Sequence, residues 1–199
     1  MTIAVGDRIP EIDVRIMRDG APAVVSSSEL LGSGRVVLFA VPGAFTPTCH
    51  RQHLPGYVDR AAELSAKGVD TVVCISVNDV FVMDGWGEAA GAGESIVMVA
   101  DPDADFTKAV GMEVDVSGAG LGIRSKRYAM VIEDGVVTSF LPEPDGFGLD
   151  ASAAAPRVRQ VFVVRPELGD TEEGDPAPPG PVPPKDTTIP RSVQASTSR

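Results

Sequence analysis

The sequence predicts an α/β protein with a central mixed sheet flanked by helices. Two continuous apolar runs of strand length lie at 35–41 and 70–77, and a helix-like stretch follows each of them. A hairpin signal closes the series at 127–141. Continuous apolar runs are typical of strands buried on both faces. Alternating strands and helices are typical of a sheet covered on both sides.

The helices that follow the two apolar runs have recognisable ends. The first is expected over 47–67, because Gly68 is the kind of residue that ends a helix. The second is expected to begin after Asn78 or Asp79, either of which can cap a helix, and to run to about Ala90.

The later part of the chain continues the alternation. A third strand, a short helix, a hairpin and a last helix are expected at 95–100, 103–110, 127–141 and 151–164. Asp134-Gly135 lies between the two hairpin strands, and this dipeptide suits a type I′ turn. Pro156 limits where the last helix can begin.

The 199 residues are expected to form one domain at 1–165 and a C-terminal tail at 166–199. Eight of the 34 tail residues are proline, and most of the others are small or polar. Such a segment cannot bury enough apolar surface to offset its chain entropy, so we expect it to be disordered and partly polyproline-like. A dispensable extension and a Pro-rich ligand for a partner both remain open.

Composition excludes several classes of function. The net charge of −11 argues against nucleic acid as a partner, because binding it needs a basic face. No apolar run approaches the roughly 18–20 residues that cross a bilayer, and the N-terminus does not resemble a secretory signal. Two cysteines exclude a disulfide scaffold and lead us to expect a reducing, cytoplasmic location.

Cys49 is the first candidate for chemistry. Thr46 is a good helix N-cap and Pro47 suits the first helical position, which places Cys49 in the first turn. Free backbone N–H groups and the positive end of the helix dipole favour the thiolate there, and the thiolate is the reactive form. The placement alone also fits an ordinary buried cysteine.

The segment Pro42-Gly-Ala-Phe-Thr-Pro-Thr-Cys49, continued by His53-Leu-Pro-Gly-Tyr57, resembles the active-site signature of the peroxiredoxins. More narrowly, it is similar to the type V group, which includes the plant type II enzymes and bacterial relatives that use glutathione and glutaredoxin. Further matching motifs are Cys74-Ile-Ser-Val-Asn-Asp-Val-Phe-Val82, Gly85-Trp86-Gly87, Ala100-Asp-Pro102, Arg124-Ser-Lys-Arg-Tyr128 and Glu143-Pro-Asp-Gly146. The resemblance covers 3–164 and implies a thioredoxin-like fold with extra N-terminal strands.

The resemblance implies a thiol peroxidase with Cys49 as its peroxidatic cysteine. It places the family's catalytic arginine at Arg127, whose permanent charge could stabilise both the thiolate and the departing oxygen. Without the resemblance, Arg127 could equally be a surface base on an edge strand.

Four more site residues are implied by the same signature. Thr46 would cap the helix and also hold peroxide, since a hydroxyl can accept one hydrogen bond and donate another. Pro42 would shield the thiolate from water. Gly43 and Thr48 are assigned to substrate binding.

After one turnover Cys49 would be a sulfenic acid that a thiol must reduce. One animal branch of the family has a second cysteine after the Glu-Pro-Asp-Gly motif, but 148–153 contains none here. Cys74, 25 residues after Cys49, is the remaining candidate resolving cysteine, although a buried, unreactive thiol is the expectation for a strand interior. We therefore expect a one-cysteine mechanism with an external reductant, either glutathione with glutaredoxin or thioredoxin.

Metal and other cofactors are not expected. His53 lies four residues after Cys49 on the same helix face, but too few other Cys or His residues are present to complete a zinc site. We expect His53 to brace the loop by hydrogen bonding and His50 to face solvent. The resemblance implies no haem or flavin.

The implied partners are a hydroperoxide, the reducing thiol and a second copy of the chain in a homodimer. Candidate dimer contacts are Phe45, Phe81, Trp86 and the loop 118–122, all of which could equally belong to a core. Two alternatives to a peroxidase remain open. A thiol–disulfide exchanger is disfavoured because Thr46 occupies the position where a Cys-x-x-Cys motif needs its first sulfur. A peroxide sensor without efficient turnover would oxidise quickly but lack a reductant.

Overall fold

The computed structural model describes residues 1–154. The predicted tail, its boundary with the domain and the predicted last helix from residue 155 onward lie outside the described residues. Within 1–154, none of the helices has both the length and the apolar character that a membrane crossing requires.

A seven-stranded mixed sheet forms the centre of the described chain, which confirms the predicted α/β class. Its spatial order is β2-β1-β5-β4-β3-β8-β9, and β6 pairs with β7 separately. The strands are β1 Asp13–Arg18, β2 Ala21–Ser26, β3 Arg35–Val41, β4 Thr71–Ser76, β5 Val97–Ala100, β6 Glu113–Asp115, β7 Ile123–Ser125, β8 Tyr128–Glu133 and β9 Val136–Pro142. The pairs β3–β4 and β4–β5 are parallel, whereas the other pairs in this sheet are antiparallel.

The helices of residues 1–154 are short, and the longest has ten residues. They are α1 Ser27–Leu31, α2 Leu54–Val58, α3 Ala61–Ala66, α4 Val80–Ala89 and α5 Asp105–Ala109. Asp79 caps α4 as predicted, because its carboxylate accepts hydrogen bonds from the N–H groups of Phe81 and Val82. The predicted helix over 103–110 is confirmed with bounds that are narrower at each end.

The helix predicted over 47–67 forms in part: residues 47–58 are helical, and a turn at 59–60 separates them from α3. The chain forms a π-helical turn at Cys49–His53, and the N–H of Leu54 donates to the carbonyl of Cys49, five residues earlier. Pro55 follows directly, and its lack of an N–H removes one α-helical hydrogen bond. Sequence periodicity did not reveal this π-turn, which is a feature frequently found at functional sites.

The C-terminal hairpin has the predicted turn. Asp134 and Gly135 have φ values of 47° and 79°, the left-handed conformations that a type I′ turn requires at both central positions. The turn joins β8 to β9, and β8 lies between β3 and β9 in the sheet. The residue just before β8 is therefore delivered to the interior of the sheet and not to its edge.

Each face of the sheet carries its own apolar core. Along β3, alternate residues point to opposite faces. Phe39 belongs to the core that also contains Cys49, Cys74 and Trp86. Leu38 belongs to the core on the opposite face. Both cysteines therefore lie in the same layer.

The turn conformation at Gly135 yields a prediction. Gly135→Ala should lower the free energy of unfolding by about 1–2 kcal/mol, because a side chain is disfavoured at this positive φ. Thermal unfolding measures the change as a fall in Tm of about 2–4 °C per kcal/mol. Gly118→Ala is the matched control, since no atom lies within 4 Å of its added Cβ and its φ is not positive. Equal Tm values for the two variants would contradict the argument.

Candidate active site

Cys49 lies at the start of the π-helical turn and is fully buried. Its Sγ accepts a hydrogen bond from Nη2 of Arg127 at 3.3 Å, although 78 residues separate the two in sequence. Strand β8 pairs with β3 and thereby brings Arg127 beside the loop that leads to Cys49. The structure therefore brings together Cys49 and Arg127, the cysteine and the arginine that the family signature implies for catalysis.

Arg127 is buried, with only 2% of its surface exposed. Its other donors go to neutral acceptors: Nη1 bonds to Nδ1 of His53 at 2.8 Å, and Nε donates to the carbonyl of Phe147 at 3.2 Å. No carboxylate within residues 1–154 lies close enough to form an ion pair with it. A buried, unpaired cation is costly, so this guanidinium favours negative charge at or beside Sγ. The alternative of a surface base on an edge strand is wrong.

Thr46 begins the helical segment, since its carbonyl accepts from the N–H of His50 at 2.8 Å. Its hydroxyl does not act as predicted. The proton goes to the carbonyl of Gly43 at 2.8 Å, so it is not free to be donated to a ligand. The hydroxyl oxygen keeps lone pairs for accepting a hydrogen bond.

Gly43 is buried in the loop between β3 and Thr46. A Cβ added at Gly43 would lie 3.0 Å from Nη1 of Arg124 and 3.2 Å from Cγ2 of Thr46. The glycine therefore allows the side chains of both neighbours to approach the loop closely.

Arg124 is a loop-bracing residue that the sequence analysis did not single out. Its Nη1 donates to the carbonyl of Val77 at 3.1 Å, and lies 3.5 Å from the carbonyl of Pro42 and 3.4 Å from Oδ1 of Asn78. Asn78 in turn accepts from the N–H of Ala44 at 2.9 Å. These contacts hold the loop after β3 against the end of β4.

Pro42 is buried at the end of β3, and Thr48 is half-buried one residue before Cys49. Their assigned roles in shielding and in substrate binding stay predictions.

His53 is 1% exposed and hydrogen-bonded at both ring nitrogens, so the predicted bracing role has identified partners. Nδ1 faces Arg127, which can only donate, so Nδ1 accepts and Nε2 carries the proton that goes to the carbonyl of Ser152 at 3.1 Å. Burial, and then the charge of Arg127, lower the pKa of His53 to about 3, although the bond to Ser152 and the charge of Glu143 oppose this shift. The imidazole is therefore neutral at physiological pH.

The carbonyl of Ser152 is itself held in place. It accepts a second hydrogen bond from the hydroxyl of Tyr57 at 2.9 Å. Oε1 of Glu143 accepts from the N–H of Asp150 at 3.0 Å and from the N–H and hydroxyl of Ser152 at 2.6 and 2.7 Å. Burial raises the pKa of Glu143, but these hydrogen bonds outweigh it and leave the pKa below its usual value. Glu143 belongs to the Glu143-Pro-Asp-Gly146 motif, but its role could not be derived from the sequence.

One expectation about a neighbouring side chain is wrong, and one open alternative is decided. His50 does not face solvent freely: it is half-buried, and its Nδ1 accepts from Nε1 of Trp86 at 3.1 Å. Trp86 is fully buried and belongs to the core, so it is not available as a dimer contact.

Cys74 lies within β4, opposite Phe39 of β3, and is fully buried. Burial raises its pKa well above the usual value, the charge of Cys49 adds to this, and Arg127 opposes it. Neither Cys49 nor Cys74 forms a disulfide. A buried protonated thiol is a poor nucleophile, which favours the expected structural role.

Within residues 1–154, no group of three or more His, Cys, Asp or Glu side chains is arranged to hold a metal ion.

Comparisons with known proteins show which family this chain resembles in sequence and in fold. The Redoxin family model matches residues 4–154. Peroxiredoxin-2E-2, a chloroplastic protein of Oryza sativa subsp. japonica, is 46% identical over 157 residues, which are 76% of this chain and 70% of that protein. The chloroplastic peroxiredoxin-2E of Arabidopsis thaliana is 41% identical over 156 residues, 76% of this chain and 67% of that protein.

A solved structure has the same fold. The crystal structure of reduced Prx3 in complex with H2O2, from Vibrio vulnificus, superimposes with a TM-score of 0.76 at 46% identity, covering 80% of this chain and 99% of the other. The thioredoxin-like fold with a central mixed sheet is thereby confirmed.

The expected cytoplasmic location is contradicted. The rice and Arabidopsis relatives are both chloroplastic proteins. The prediction failed because a low cysteine count indicates a reducing environment, and this property does not distinguish one reducing compartment from another.

The buried His53 predicts a pH dependence of stability. Between its unfolded pKa of 6.5 and its folded pKa of about 3, the unfolded chain binds a proton that the native protein does not. The free energy of unfolding should therefore fall as the pH falls below 6.5, by up to about 1.4 kcal/mol per pH unit. Urea unfolding between pH 7 and pH 4.5 measures this slope.

The control for this pH dependence is His53→Asn, which cannot titrate at that position. Its free energy of unfolding should lose this part of the slope, while carboxylates such as Glu143 contribute in both proteins. Identical slopes for the wild type and His53→Asn would contradict a neutral His53.

Proposed function

This chain belongs to the redoxin family and is a type II-like peroxiredoxin, that is, a thiol peroxidase. On that premise we propose that Cys49 reduces hydrogen peroxide and organic hydroperoxides. The observation that carries the proposal is the hydrogen bond from Arg127 to Sγ of Cys49 inside a buried site. Peroxiredoxins need no prosthetic cofactor, so the chemistry rests on these side chains and on an external thiol.

The first step is an in-line displacement at sulfur. The Cys49 thiolate attacks one peroxide oxygen, an S–O bond forms and the O–O bond breaks. Sulfur is oxidised by two electrons to a sulfenic acid, and the peroxide is reduced. The departing hydroxide or alkoxide takes a proton from solvent and leaves as water or alcohol. Arg127 stabilises the charge that grows on the departing oxygen, because its Nη2 already lies beside Sγ, where the reaction takes place.

The loop after β3 supplies the rest of the peroxide site. Thr46 accepts a hydrogen bond from the peroxide O–H, since its own proton is committed to Gly43. Pro42 shields the thiolate from water. Gly43 and Thr48 border the substrate, and the missing side chain at Gly43 lets Arg124 and Thr46 approach the loop closely.

The sulfenic acid is then reduced by an external thiol. The thiol sulfur displaces water to give a mixed disulfide with Cys49, and a second thiol releases the Cys49 thiolate and leaves as a disulfide. We assign glutathione with glutaredoxin as the reductant, with thioredoxin as the competing donor. The burial of Cys74 and its raised pKa support an external donor over an internal one.

The enzyme pairs as a homodimer through an apolar rim beside the site, defined by Phe45, Phe81, Leu121 and Ile123. These side chains are 51%, 66%, 40% and 40% exposed. Hydrogen bonds from Arg124 link the 121–124 segment to the loop after β3 and to the end of β4. Large apolar side chains exposed together are typical of an interaction surface.

Cysteine variants test the peroxidase proposal. Cys49→Ser should reduce peroxide consumption to background, because the nucleophile is lost, and Cys74→Ser should retain most of it. Steady-state turnover is measured with the glutaredoxin and thioredoxin systems side by side.

Turnover by Cys49→Ser would overturn the assignment of Cys49. A wild type that is oxidised quickly but not recycled by either system would instead favour the peroxide sensor. Faster recycling by thioredoxin would replace glutaredoxin as the assigned donor.

A surface variant tests the homodimer. Phe81→Glu should shift the protein toward monomer in sedimentation equilibrium, because it places a charge in an apolar interface. Val24→Glu is the matched control, since Val24 is 61% exposed on β2 at the edge of the sheet, outside the apolar rim. A dimer unaffected by Phe81→Glu, or a wild-type monomer, would contradict the proposed interface.

A further inference from the structure

A continuous chain of hydrogen bonds runs from Glu143 to the sulfur of Cys49. Glu143 holds the N–H and hydroxyl of Ser152, and the carbonyl of Ser152 accepts from His53. His53 then accepts from Nη1 of Arg127, whose Nη2 donates to Sγ of Cys49. The five residues that this series of hydrogen bonds connects are all buried.

The proton on His53 is fixed by its two neighbours. The carbonyl of Ser152 can only accept and the guanidinium of Arg127 can only donate, so one tautomer satisfies both. Because both ring nitrogens are occupied, neither is free to exchange a proton with a substrate. A general acid or base role is therefore excluded by geometry in this arrangement.

Packing holds the imidazole in this orientation. The rings of Phe39 and Tyr57 stack in parallel with centroids 3.9 Å apart. The ring of His53 tilts against both, at 5.0 and 5.6 Å. The acceptor that His53 presents to Arg127 thus has a defined position.

We propose that His53 is a positioning residue: its neutral Nδ1 orients the Arg127 guanidinium toward Cys49, and Glu143 secures His53 from behind through Ser152. The proposal rests on the proposed peroxidase function and adds the contacts that orient the guanidinium of Arg127. An arginine bound at one Nη and at Nε is held in a plane, so its remaining Nη2 points at Sγ.

Two near-isosteric variants separate the contacts of His53. In His53→Asn the side-chain oxygen can take the place of Nδ1 and still accept from Arg127. In His53→Gln the amide nitrogen can take the place of Nε2 and still donate to Ser152, but the acceptor for Arg127 is lost. If His53 had only a structural role, keeping the contact to Arg127 would give the peroxide rate no advantage over keeping the contact to Ser152.

The measurement is the second-order rate of Cys49 oxidation by H2O2 in a single turnover without reductant. Fluorescence of Trp86, the single tryptophan, follows the reaction from the same core. The rate of alkylation by iodoacetamide is measured in parallel, because alkylation has no departing peroxide oxygen for Arg127 to stabilise.

We expect His53→Gln to lower the peroxide rate by about 10²-fold, the typical effect of a misplaced catalytic group. His53→Asn should retain more of the peroxide rate, and the alkylation rate should change less than the peroxide rate in both. Equal peroxide rates for the two variants, or losses that match the alkylation rates or follow Tm, would overturn the positioning role.

Variants of Glu143 give an independent test, which also serves if the His53 variants fail to fold. Glu143→Ala removes the acceptor for Ser152 and should lower the peroxide rate, whereas Glu143→Gln keeps a side-chain oxygen and should rescue it. A rate unchanged in Glu143→Ala would overturn the role of Glu143. Failure of the wild type to react with peroxide would instead overturn the proposed function itself.

Discussion

The hydrogen bond between Arg127 and the sulfur of Cys49 organises this molecule, because it places a permanent positive charge in a site that excludes water. Desolvating a guanidinium is costly unless its donors are satisfied. Here the described partners are a thiol sulfur, an imidazole nitrogen and a backbone carbonyl, none of which is a carboxylate. The charge is thus left available to an anionic sulfur or to a departing peroxide oxygen. A carboxylate paired with Arg127 would neutralise that charge.

The sheet makes this contact possible. Strand β3 leads into the loop and the π-turn that carry Cys49, and β8 pairs with β3 in antiparallel register just after Arg127. The two groups therefore lie at the same end of neighbouring strands, although 78 residues separate them in sequence. The C-terminal hairpin then fixes β8 on its other side. The same layer of core also buries Cys74 within β4, where burial raises the pKa of its thiol well above the usual value.

Most of the hydrogen bonds that orient the loop and the Arg127 guanidinium are made by neutral polar groups. Thr46 directs its proton to Gly43, Asn78 accepts from Ala44, and Ser152 accepts from His53. These bonds orient the loop and the guanidinium without adding a competing charge. A buried polar network is favourable only when its members are satisfied, and the two ends here, Glu143 and the sulfur of Cys49, both meet that condition. The exposed apolar rim beside the site lies outside this network.

The sequence by itself determined the alternation of strands and helices, the hairpin turn at Asp134-Gly135 and the position of Cys49 at a helix start, because each depends on neighbours within a few residues. The quoted motifs also identified the family and Arg127, which spacing alone could not do. Only the tertiary structure decided the π-turn, the direction of the Thr46 hydroxyl and the tautomer of His53. Those features depend on partners brought from distant strands, and hydrogen-bond direction follows from which partner is present in space. The local preference of a segment for helix, strand or turn does not show which distant residue will be that partner.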